Sequence, residues 1–218
     1  HAHNETDRTA AVLERLQSGA NVGLVSDAGT PCLSDPGSVL VDAVQSAGLP
    51  VVSVPGPFAV AVALAGAGLP AVPFTFWGFV AKRSGTRRNQ LMERLRAGPD
   101  GTMTHAFYVP GRDLRAFCTD VAAVAPDATL AVGRELSKIH EGWLRGTPAT
   151  VAEALQDAQL RGEAVVLVAI EPGTEPEAGQ LDVDALLRAA LAAGRERKAA
   201  LREISQQTGI GRRELYRR

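Results

Sequence analysis

The chain has 218 residues, of which 45% are hydrophobic, and its formal net charge is -1. This length and composition suit one or two globular domains with a sizeable core. A net charge near zero excludes a global field that attracts nucleic acid or membranes, so any polyanion site must come from local clusters. Cys32 and Cys118 lie far apart and form no metal or redox motif, which favours a reducing cytosolic setting over a disulfide.

The first part of the chain alternates predicted helices with apolar strands. Apolar runs at residues 21–26 and 50–54 predict buried strands. Helices are predicted from a cap at Asn4 through residues 10–17 to Gly19, over 35–48 with Gly48 as stop, and over 56–68 with Pro57 opening the helix. The alternation of apolar strands and helices predicts an α/β fold with a parallel sheet covered on both faces.

The alternation continues beyond Pro73 with more charge. Strands are predicted over residues 74–79, 102–109, 128–136, 141–147 and 162–170. Helices are predicted over residues 84–98 with Ser84 as cap, 112–124, and 147–158 with Thr147 as cap and Pro148 at the first helical position. The runs 128–136 and 141–147 are close enough along the chain to pair with each other. This half of the chain therefore predicts a second α/β domain.

Residues 51–81 carry no charge and are numerous enough to span a bilayer. Pro55, Pro57, Pro70 and Pro73 interrupt them, and glycines cluster nearby. A buried strand, a helix and another buried strand explain the segment better than a membrane span.

These elements predict a domain layout of four parts. The remainder of an N-terminal α/β domain occupies residues 1–76, and a C-terminal α/β domain occupies residues 77–172. A linker rich in Pro, Gly and Glu follows at 173–182. Residues 183–218 are helical and basic, and a helix, Gly209 and a second basic helix are typical of a helix-turn-helix.

The stretch "SDAGTP" follows the predicted strand 21–26 and raises the question of a ligand. Ligands in open α/β sheets bind beyond the carboxyl ends of strands. Gly29 permits positive φ or close approach of a ligand, Asp27 offers an acceptor, and Asp35 with Pro36 begins a helix. The alternative is an ordinary strand-to-helix turn in which Asp27 and Asp35 only cap. No glycine-rich phosphate motif is present.

A second turn of the same kind, "VPGPFA", lies at residues 54–59. It also follows a predicted strand and opens a predicted helix. Two adjacent turns of this kind could shape one pocket. A loop stiffened by proline is the simpler explanation.

Several segments occur in an order that resembles a known family. They are "HNE" at 3–5, "VSDAGTPCLSDPG" at 25–37, "VVSVPGPFAVAVALAGAGLP" at 51–70, "FWGFVAKRSGTRR" at 76–88, "GRELSKIHEGWLRGT" at 133–147 and "GEAVVLVAIE" at 162–171. Together they resemble the ribosomal RNA small subunit methyltransferase I family, a branch of the tetrapyrrole methylase superfamily. The resemblance extends over essentially the whole chain.

The resemblance implies S-adenosyl-L-methionine as methyl donor, bound in a cleft between two α/β domains. It implies 2′-O-methylation of a cytidine in small-subunit (16S) rRNA by a homodimer. A cytoplasmic location, no metal and no membrane are expected as well. The residues expected to bind the cofactor are Ser26, Asp27, Ala28, Gly29, Thr30, Pro55, Gly56, Pro57, Ala59, Tyr108 and Glu135.

The sequence departs from the family pattern in two places. Family members begin with further residues that include a "TPIGN"-like turn and an "AEDTR"-like segment. The sequence is therefore expected to be N-terminally truncated, with the first strand unit and part of the cofactor wall missing. The family's "FYESPHR" stands here as "FYVPGRD" at 107–113, with Tyr108 kept and Val109 in place of the acid.

Methyl transfer to a ribose hydroxyl benefits from positioning and from a nearby base or cation. Glu135 and Lys138 are the candidate catalytic residues, with His140 and Glu141 nearby. Strand periodicity places Glu135 and Lys138 on opposite faces unless the strand ends near Ser137. The alternative for Glu135 is a structural ion pair with Arg134.

Basic residues cluster in "AKRSGTRR" and in the C-terminal tail. Close to Trp77 and Phe79, such cations suit phosphate contact with aromatic stacking alongside. The residues expected to bind RNA are Lys82, Arg83, Arg87, Arg88, Arg212 and Arg213. The alternative for the loop is a solvated helix start.

Two other functions remain open at this point. The same scaffold could methylate a tetrapyrrole of the precorrin or uroporphyrinogen type, but such a substrate gives no reason for the basic loop and tail. A non-catalytic RNA-binding fragment is the other alternative.

Overall fold

The computed structural model describes residues 5–98, 101–156, 160–173, 187–188, 190–191 and 195–208. These residues belong to two compact units, residues 1–59 and residues 60–218. The division falls at Ala59, whereas the predicted boundary falls at Phe76. The difference arises because the strand that contains Phe76 pairs within the sheet of the second unit.

The first unit contains two helices, α1 (Glu5–Gln17) and α2 (Ser38–Ser46), which pack against each other. Residues 20–26 and 49–58 connect these elements without regular secondary structure. The helix cap predicted at Asn4 lies outside the described residues. An apolar cleft of about 430 Å³ is lined by residues of α1, α2 and the two connecting segments.

The strands predicted at 21–26 and 50–54 are wrong for the described part of the chain. Neither segment forms a sheet ladder there, and Val25, Val52 and Val54 are each at least 80% exposed. An apolar run forms a strand only when its backbone hydrogen-bonds to a neighbouring strand. The described residues contain no such neighbour for these two segments. The predicted parallel sheet is accordingly not formed by residues 5–59, the described part of this unit.

The second unit is built on a five-stranded sheet in the order β1-β2-β5-β3-β4. Its strands are β1 (Phe74–Phe79), β2 (Met103–Pro110), β3 (Thr129–Arg134), β4 (Gly142–Gly146) and β5 (Glu163–Ile170). Only β1 and β2 pair in parallel; the other neighbours are antiparallel. The predicted pairing of β3 with β4 is confirmed, and the sheet is mixed.

The helices that accompany the sheet are α3 (Ala59–Gly66), α4 (Ser84–Arg94), α5 (Leu114–Val124), α6 (Pro148–Ala154) and α7 (Arg197–Thr208), and a 3-10 helix at Gly111–Asp113 precedes α5. Helix α5 packs against α4 and α6, and α4 also packs against α7. The core beneath them includes the fully buried Phe107, Phe117 and Leu130. Each such side chain contributes about 1.5–3 kcal/mol relative to its exposed state.

Two predicted caps have different outcomes. Thr147 Oγ1 accepts a hydrogen bond from Thr150 N at 3.3 Å and Pro148 opens α6, as predicted. Ser84 does not cap α4: Arg83 is the N-cap residue, and the Ser84 hydroxyl donates instead to Asp120 Oδ1 at 2.6 Å. Because α4 begins one residue earlier than a Ser84 cap requires, the Ser84 hydroxyl lies inside the first turn, where it donates a charge-assisted hydrogen bond to the carboxylate of a neighbouring helix.

Trp143 on β4 fixes the position of α3 in the second unit. A Cβ at Gly66 of α3 would lie 2.9 Å from the Trp143 ring, and a Cβ at Gly133 of β3 would lie 3.1 Å from it. The indole therefore fills the space that two missing side chains leave. Its Nε1 donates to Glu141 Oε1 at 3.0 Å, so the polar atom of the half-buried ring is satisfied.

The uncharged segment 51–81 forms an extended run, α3 and β1. Across the described residues, every helix is too short or too polar to traverse a bilayer. Most of the predicted linker, the turn at Gly209 and the second helix of the predicted helix-turn-helix lie outside the described residues.

Candidate functional site

The two predicted turns of the first unit lie side by side. The Thr30 hydroxyl in "SDAGTP" donates to the Pro57 carbonyl in "VPGPFA" at 3.0 Å. A Cβ at Gly56 would lie 3.3 Å from Thr30 Oγ1, and one at Gly29 would lie 3.5 Å from Pro57 O. Gly56 therefore leaves room for the Thr30 hydroxyl that joins the two loops, and Gly29 lies in contact with the Pro57 carbonyl.

The "SDAGTP" loop is also fixed internally. Ser26 Oγ donates to the Gly29 carbonyl at 2.9 Å, and Gly29 has φ of 77°. The Asp27 side chain is exposed, and its carboxylate has no hydrogen bond or ion pair within the described chain. Neither Asp27 nor Asp35 caps α2, whose N-cap is Gly37. Asp27 thus presents a carboxylate acceptor to solvent on a loop that hydrogen bonds hold in place.

The loop after β3 brings the two candidate catalytic residues together. Strand β3 ends at Arg134, and Lys138 Nζ lies 3.0 Å from Glu135 Oε2. The alternative pair of Glu135 with Arg134 is wrong, because Lys138 is the partner. Glu135 and Ser137 have φ of 48° and 64°, an uncommon conformation for residues other than glycine.

Glu141 closes the same loop. Its carboxylate accepts from Ser137 N at 2.7 Å and from the Trp143 indole at 3.0 Å. These two hydrogen bonds, the backbone one first, lower the pKa of Glu141 below its usual value. The loop tip presents Ile139, His140 and Lys138 to solvent.

Tyr108 lies on β2 within an aromatic cluster. Its ring is 4.9 Å from Phe76 and 5.5 Å from Phe79, measured between ring centroids. The next residue, Val109, which stands where the family pattern has an acid, is fully buried.

Gly111 accounts for the rest of the altered "FYVPGRD" loop. Gly111 N donates to Gly162 O at 2.8 Å, and a Cβ there would lie 2.6 Å from Leu160 O. Only glycine fits at this close contact between two backbones.

Two of the predicted RNA-binding cations are structural. Arg87 is 3% exposed, and its Nε donates to Asp120 Oδ2 at 2.7 Å. Arg88 Nε lies 2.7 Å from Asp120 Oδ1. A buried guanidinium that is bound to a carboxylate is not available to phosphate, so Arg87 is removed from the predicted RNA surface, and Arg88 is engaged.

Lys82 and Arg83 differ from their neighbours because both are exposed. Arg87 Nη1 donates to the carbonyls of Ala81 and Lys82 at 3.3 and 3.2 Å, which holds the backbone beneath them. Arg212 and Arg213 lie outside the described residues. Sequence reasoning missed Asp120. The available signal was that Arg87 shares a helix face with Leu91 and Leu95 and is therefore expected to be buried.

Solved structures of known proteins share this fold. The methyltransferase CobJ matches with a TM-score of 0.52 and 24% identity, over 75% of this chain and 70% of that chain. A uroporphyrin-III C-methyl transferase from Thermus thermophilus, complexed with S-adenyl homocysteine, matches with a TM-score of 0.50 and 17% identity, over 75% and 73% of the two chains. The fold of this chain is therefore that of these α/β methyltransferases.

The sequence gives a narrower placement. The family model described as tetrapyrrole (corrin/porphyrin) methylases matches residues 1–152, and the chain belongs to this family. It is 35% identical to the ribosomal RNA small subunit methyltransferase I of Synechocystis sp., over 99% of this chain and 77% of that protein. It is 37% identical to the protein of the same name from Xylella fastidiosa, over 99% and 78% of the two chains.

Proposed function

We propose that the protein transfers the methyl group of S-adenosyl-L-methionine to the ribose 2′-hydroxyl of a cytidine in small-subunit (16S) rRNA. The observation that carries this proposal is the alignment along 99% of the chain with relatives named ribosomal RNA small subunit methyltransferase I. The match extends beyond the part that the general methylase family model covers.

The loops of the first unit fit the cofactor. Gly29 and Gly56 leave a cradle of bare backbone, and Asp27 supplies a free carboxylate that can accept hydrogen bonds from hydroxyls or an amine. In our proposal Ser26, Asp27, Ala28, Gly29 and Thr30 hold the cofactor together with Pro55, Gly56, Pro57 and Ala59. The cofactor role predicted for Tyr108 and Glu135 from the family resemblance stays a prediction. When bound, S-adenosyl-L-methionine supplies an electrophilic methyl group.

The proposed role of Glu135 is to accept the proton that the 2′-hydroxyl would lose as its oxygen bonds to the methyl carbon. The carbon–sulfur bond of the donor would break in the same step, with S-adenosyl-L-homocysteine as the leaving group. Lys138 fixes the Glu135 carboxylate through their 3.0 Å ion pair and places positive charge beside it. The remaining contribution of the chain is positioning of the hydroxyl for in-line attack.

A tetrapyrrole substrate is the second candidate, and the solved structures with this fold support it. The exposed Lys82 and Arg83 favour RNA, because adjacent free cations suit phosphate contact. A non-catalytic RNA binder is the third candidate. It has less support, because the free Asp27 carboxylate and the glycine-lined loops have no use in that function.

We propose further that the protein works as a homodimer, and that the reaction takes place in the cytoplasm because its substrate is a ribosomal subunit. Sedimentation of the purified protein checks the dimer. A monomer at all concentrations would remove that part of the proposal.

The test is methylation of unmodified small ribosomal subunits with labelled S-adenosyl-L-methionine, followed by mapping of ribose methylation. We expect a single methylated cytidine. Methylation of uroporphyrinogen or a precorrin instead of the subunits would establish the second candidate, and binding of the subunits without methyl transfer would establish the third.

The cofactor loops are tested in the same system by calorimetry. Asp27→Ala removes a hydrogen bond to a charged group and should weaken cofactor binding about 10- to 100-fold. Gly56→Val should also weaken binding, because its side chain fills the cradle beside Thr30. The controls are Asp42→Ala, an exposed carboxylate on α2, and Gly23→Val, where a Cβ meets no atom within 4 Å. Unchanged affinity in both test variants would remove these loops from the cofactor site.

A further inference from the structure

A β-bulge in β1 changes the direction of Phe79. Phe76 pairs with Ala106 of β2, but Phe79 pairs with Tyr108, so β1 advances three residues while β2 advances two. Gly78, with φ of 65°, supplies the conformation that this bulge needs. In a regular strand Phe76 and Phe79 would face opposite sides of the sheet. The bulge instead places both rings against Tyr108.

Phe79, and not Trp77, is the aromatic side chain available to a ligand at this end of β1. Phe79 is 44% exposed. Trp77 is engaged within the unit: its Nε1 donates to His105 Nδ1 at 3.1 Å, and the Arg94 guanidinium lies 4.9 Å from its ring centroid. The exposed ring therefore precedes the exposed cations Lys82 and Arg83 by only a few residues.

Hydrogen bonds from Arg87 hold the backbone between Phe79 and the cations Lys82 and Arg83 in place. Arg87 donates to the carbonyls of Ala81 and Lys82 and is itself held by Asp120. The side chains of Lys82 and Arg83 have no ion pair in the described part of the chain. A fixed backbone with free cationic side chains loses less entropy on binding than a flexible loop does.

We propose that Phe79, Lys82 and Arg83 together hold one unpaired nucleotide of the RNA substrate. The Phe79 ring stacks on the base, and the two cations contact the phosphates on either side of it. The base must be unpaired, because a base inside a duplex does not expose its face to a side chain. This proposal rests on the proposed function and specifies a contact that the function needs.

The stacking is tested with purified, unmodified small ribosomal subunits as the probe. Phe79→Ala should weaken subunit binding about 5- to 100-fold, the range of base–aromatic stacking. Phe79→Trp should bind like the wild type, because it keeps an aromatic face. Phe79→Leu should behave like Phe79→Ala although it stays apolar. The matched control is Phe74→Ala at the other end of β1, where the side chain is 42% exposed.

The cations are tested by the salt dependence of subunit binding. Lys82→Gln and Arg83→Gln should each lower the slope of log affinity against log salt by about 0.7–0.9. Arg115→Gln on α5, also exposed, should leave the slope unchanged. Near-ultraviolet circular dichroism of every variant checks that the fold is intact.

Three outcomes separate this proposal from the proposed function. If the wild type methylates no ribose in the subunits, the proposed function fails. If it does, and Phe79→Ala and Phe79→Leu bind subunits like the wild type, the stacking contact is refuted and the function stands. If Phe79→Ala weakens binding of S-adenosyl-L-homocysteine but not of subunits, the ring belongs to the cofactor site and the proposal is overturned.

Discussion

Asp120 organises the start of α4 through a single carboxylate. It accepts hydrogen bonds from Ser84, Arg87 and Arg88, and it is almost completely buried. A buried carboxylate with this many donors stabilises the fold only while its cationic partners remain in place. Two residues predicted to touch RNA therefore act on the protein's own structure.

Replacement of Asp120 by Asn should lower the free energy of unfolding by about 3–5 kcal/mol, because Arg87 keeps its buried charge without a counter-ion. Urea denaturation measures the change. The control is Asp113→Asn, whose pair with the exposed Arg112 is 3.8 Å long, and we expect a change below about 1 kcal/mol there. A loss of similar size in both variants would contradict the structural role of Asp120.

His105 is held in its neutral form. The Trp77 indole can only donate, so His105 Nδ1 must accept, and Nε2 carries the proton toward the Arg96 carbonyl at 2.8 Å. Burial lowers the pKa of His105 from its ordinary value of 6.5, and the Arg96 hydrogen bond opposes part of that change. A second proton on the ring would face the Trp77 N–H.

This environment predicts a loss of stability in mild acid. Below about pH 6.5 the unfolded chain protonates its histidine while the folded chain does not, so the unfolded state binds more protons. The free energy of unfolding should therefore fall as the pH drops from 6.5 toward the lowered pKa of His105. Urea denaturation at pH 7.5 and 5.5 measures this. His105→Gln should reduce the pH dependence, and His140→Gln on the exposed loop should keep it; equal slopes in wild type and His105→Gln would exclude His105 as the source.

At the scale of elements, the bulge in β1 allows the effect of backbone strain to be distinguished from an effect on RNA binding. Gly78 and Gly48 have similar φ, 65° and 72°, but a Cβ at Gly48 meets no atom within 4 Å and Gly48 lies beyond the end of α2. Alanine at either position is destabilised by the left-handed backbone conformation. Only at Gly78 does the substitution also affect the contact between Phe79 and Tyr108.

Gly78→Ala and Gly48→Ala should each lower stability by about 1–2 kcal/mol. Gly78→Ala should in addition weaken binding of small ribosomal subunits, because a regular strand would turn Phe79 to the other face of the sheet. Binding titrations and thermal melts of both variants check this. Equal subunit binding by the two variants would show that the bulge has no part in recognition.

At the scale of the whole molecule, the sequence predicted the second unit better than the first. Each strand of the mixed sheet is an apolar run, and the strands with which it pairs lie within the described residues of the second unit, as for β2 and β5. A strand predicted from its apolar pattern therefore also finds a partner there. The runs 21–26 and 50–54 have the same pattern but no partner among the described residues. Periodicity reports that a segment can be a strand; it does not report whether a neighbour is present.

The sequence likewise predicted one part of the candidate site and not another. Glycine and proline spacing indicated the two loops that the structure joins through Thr30 and Pro57. The sequence also placed cations near β1, but it did not show which were free. That depends on Asp120, which is distant along the chain and close only after α4 and α5 have packed.

Because only the second unit contains paired strands among the described residues, the two units should differ in their rates of amide hydrogen exchange. Backbone amides in residues 21–26 and 50–54 should exchange far faster than those of β2, β3 and β5, because only the latter belong to paired ladders. Addition of S-adenosyl-L-methionine should slow exchange in residues 26–30 and 55–59 and leave β5 unchanged. Slow exchange at 21–26 in the free protein would show that this segment is paired in solution.

Because Trp143 packs between Gly66 and Gly133, a substitution at one of these three positions limits which residues fit at the other two. A methyl group at either glycine collides with a rigid ring, so an alanine there is compatible only with a smaller residue at 143. A smaller residue at 143 alone leaves a void beside two glycines. We therefore expect that sequences with this fold that diverge at one of these three positions also diverge at another.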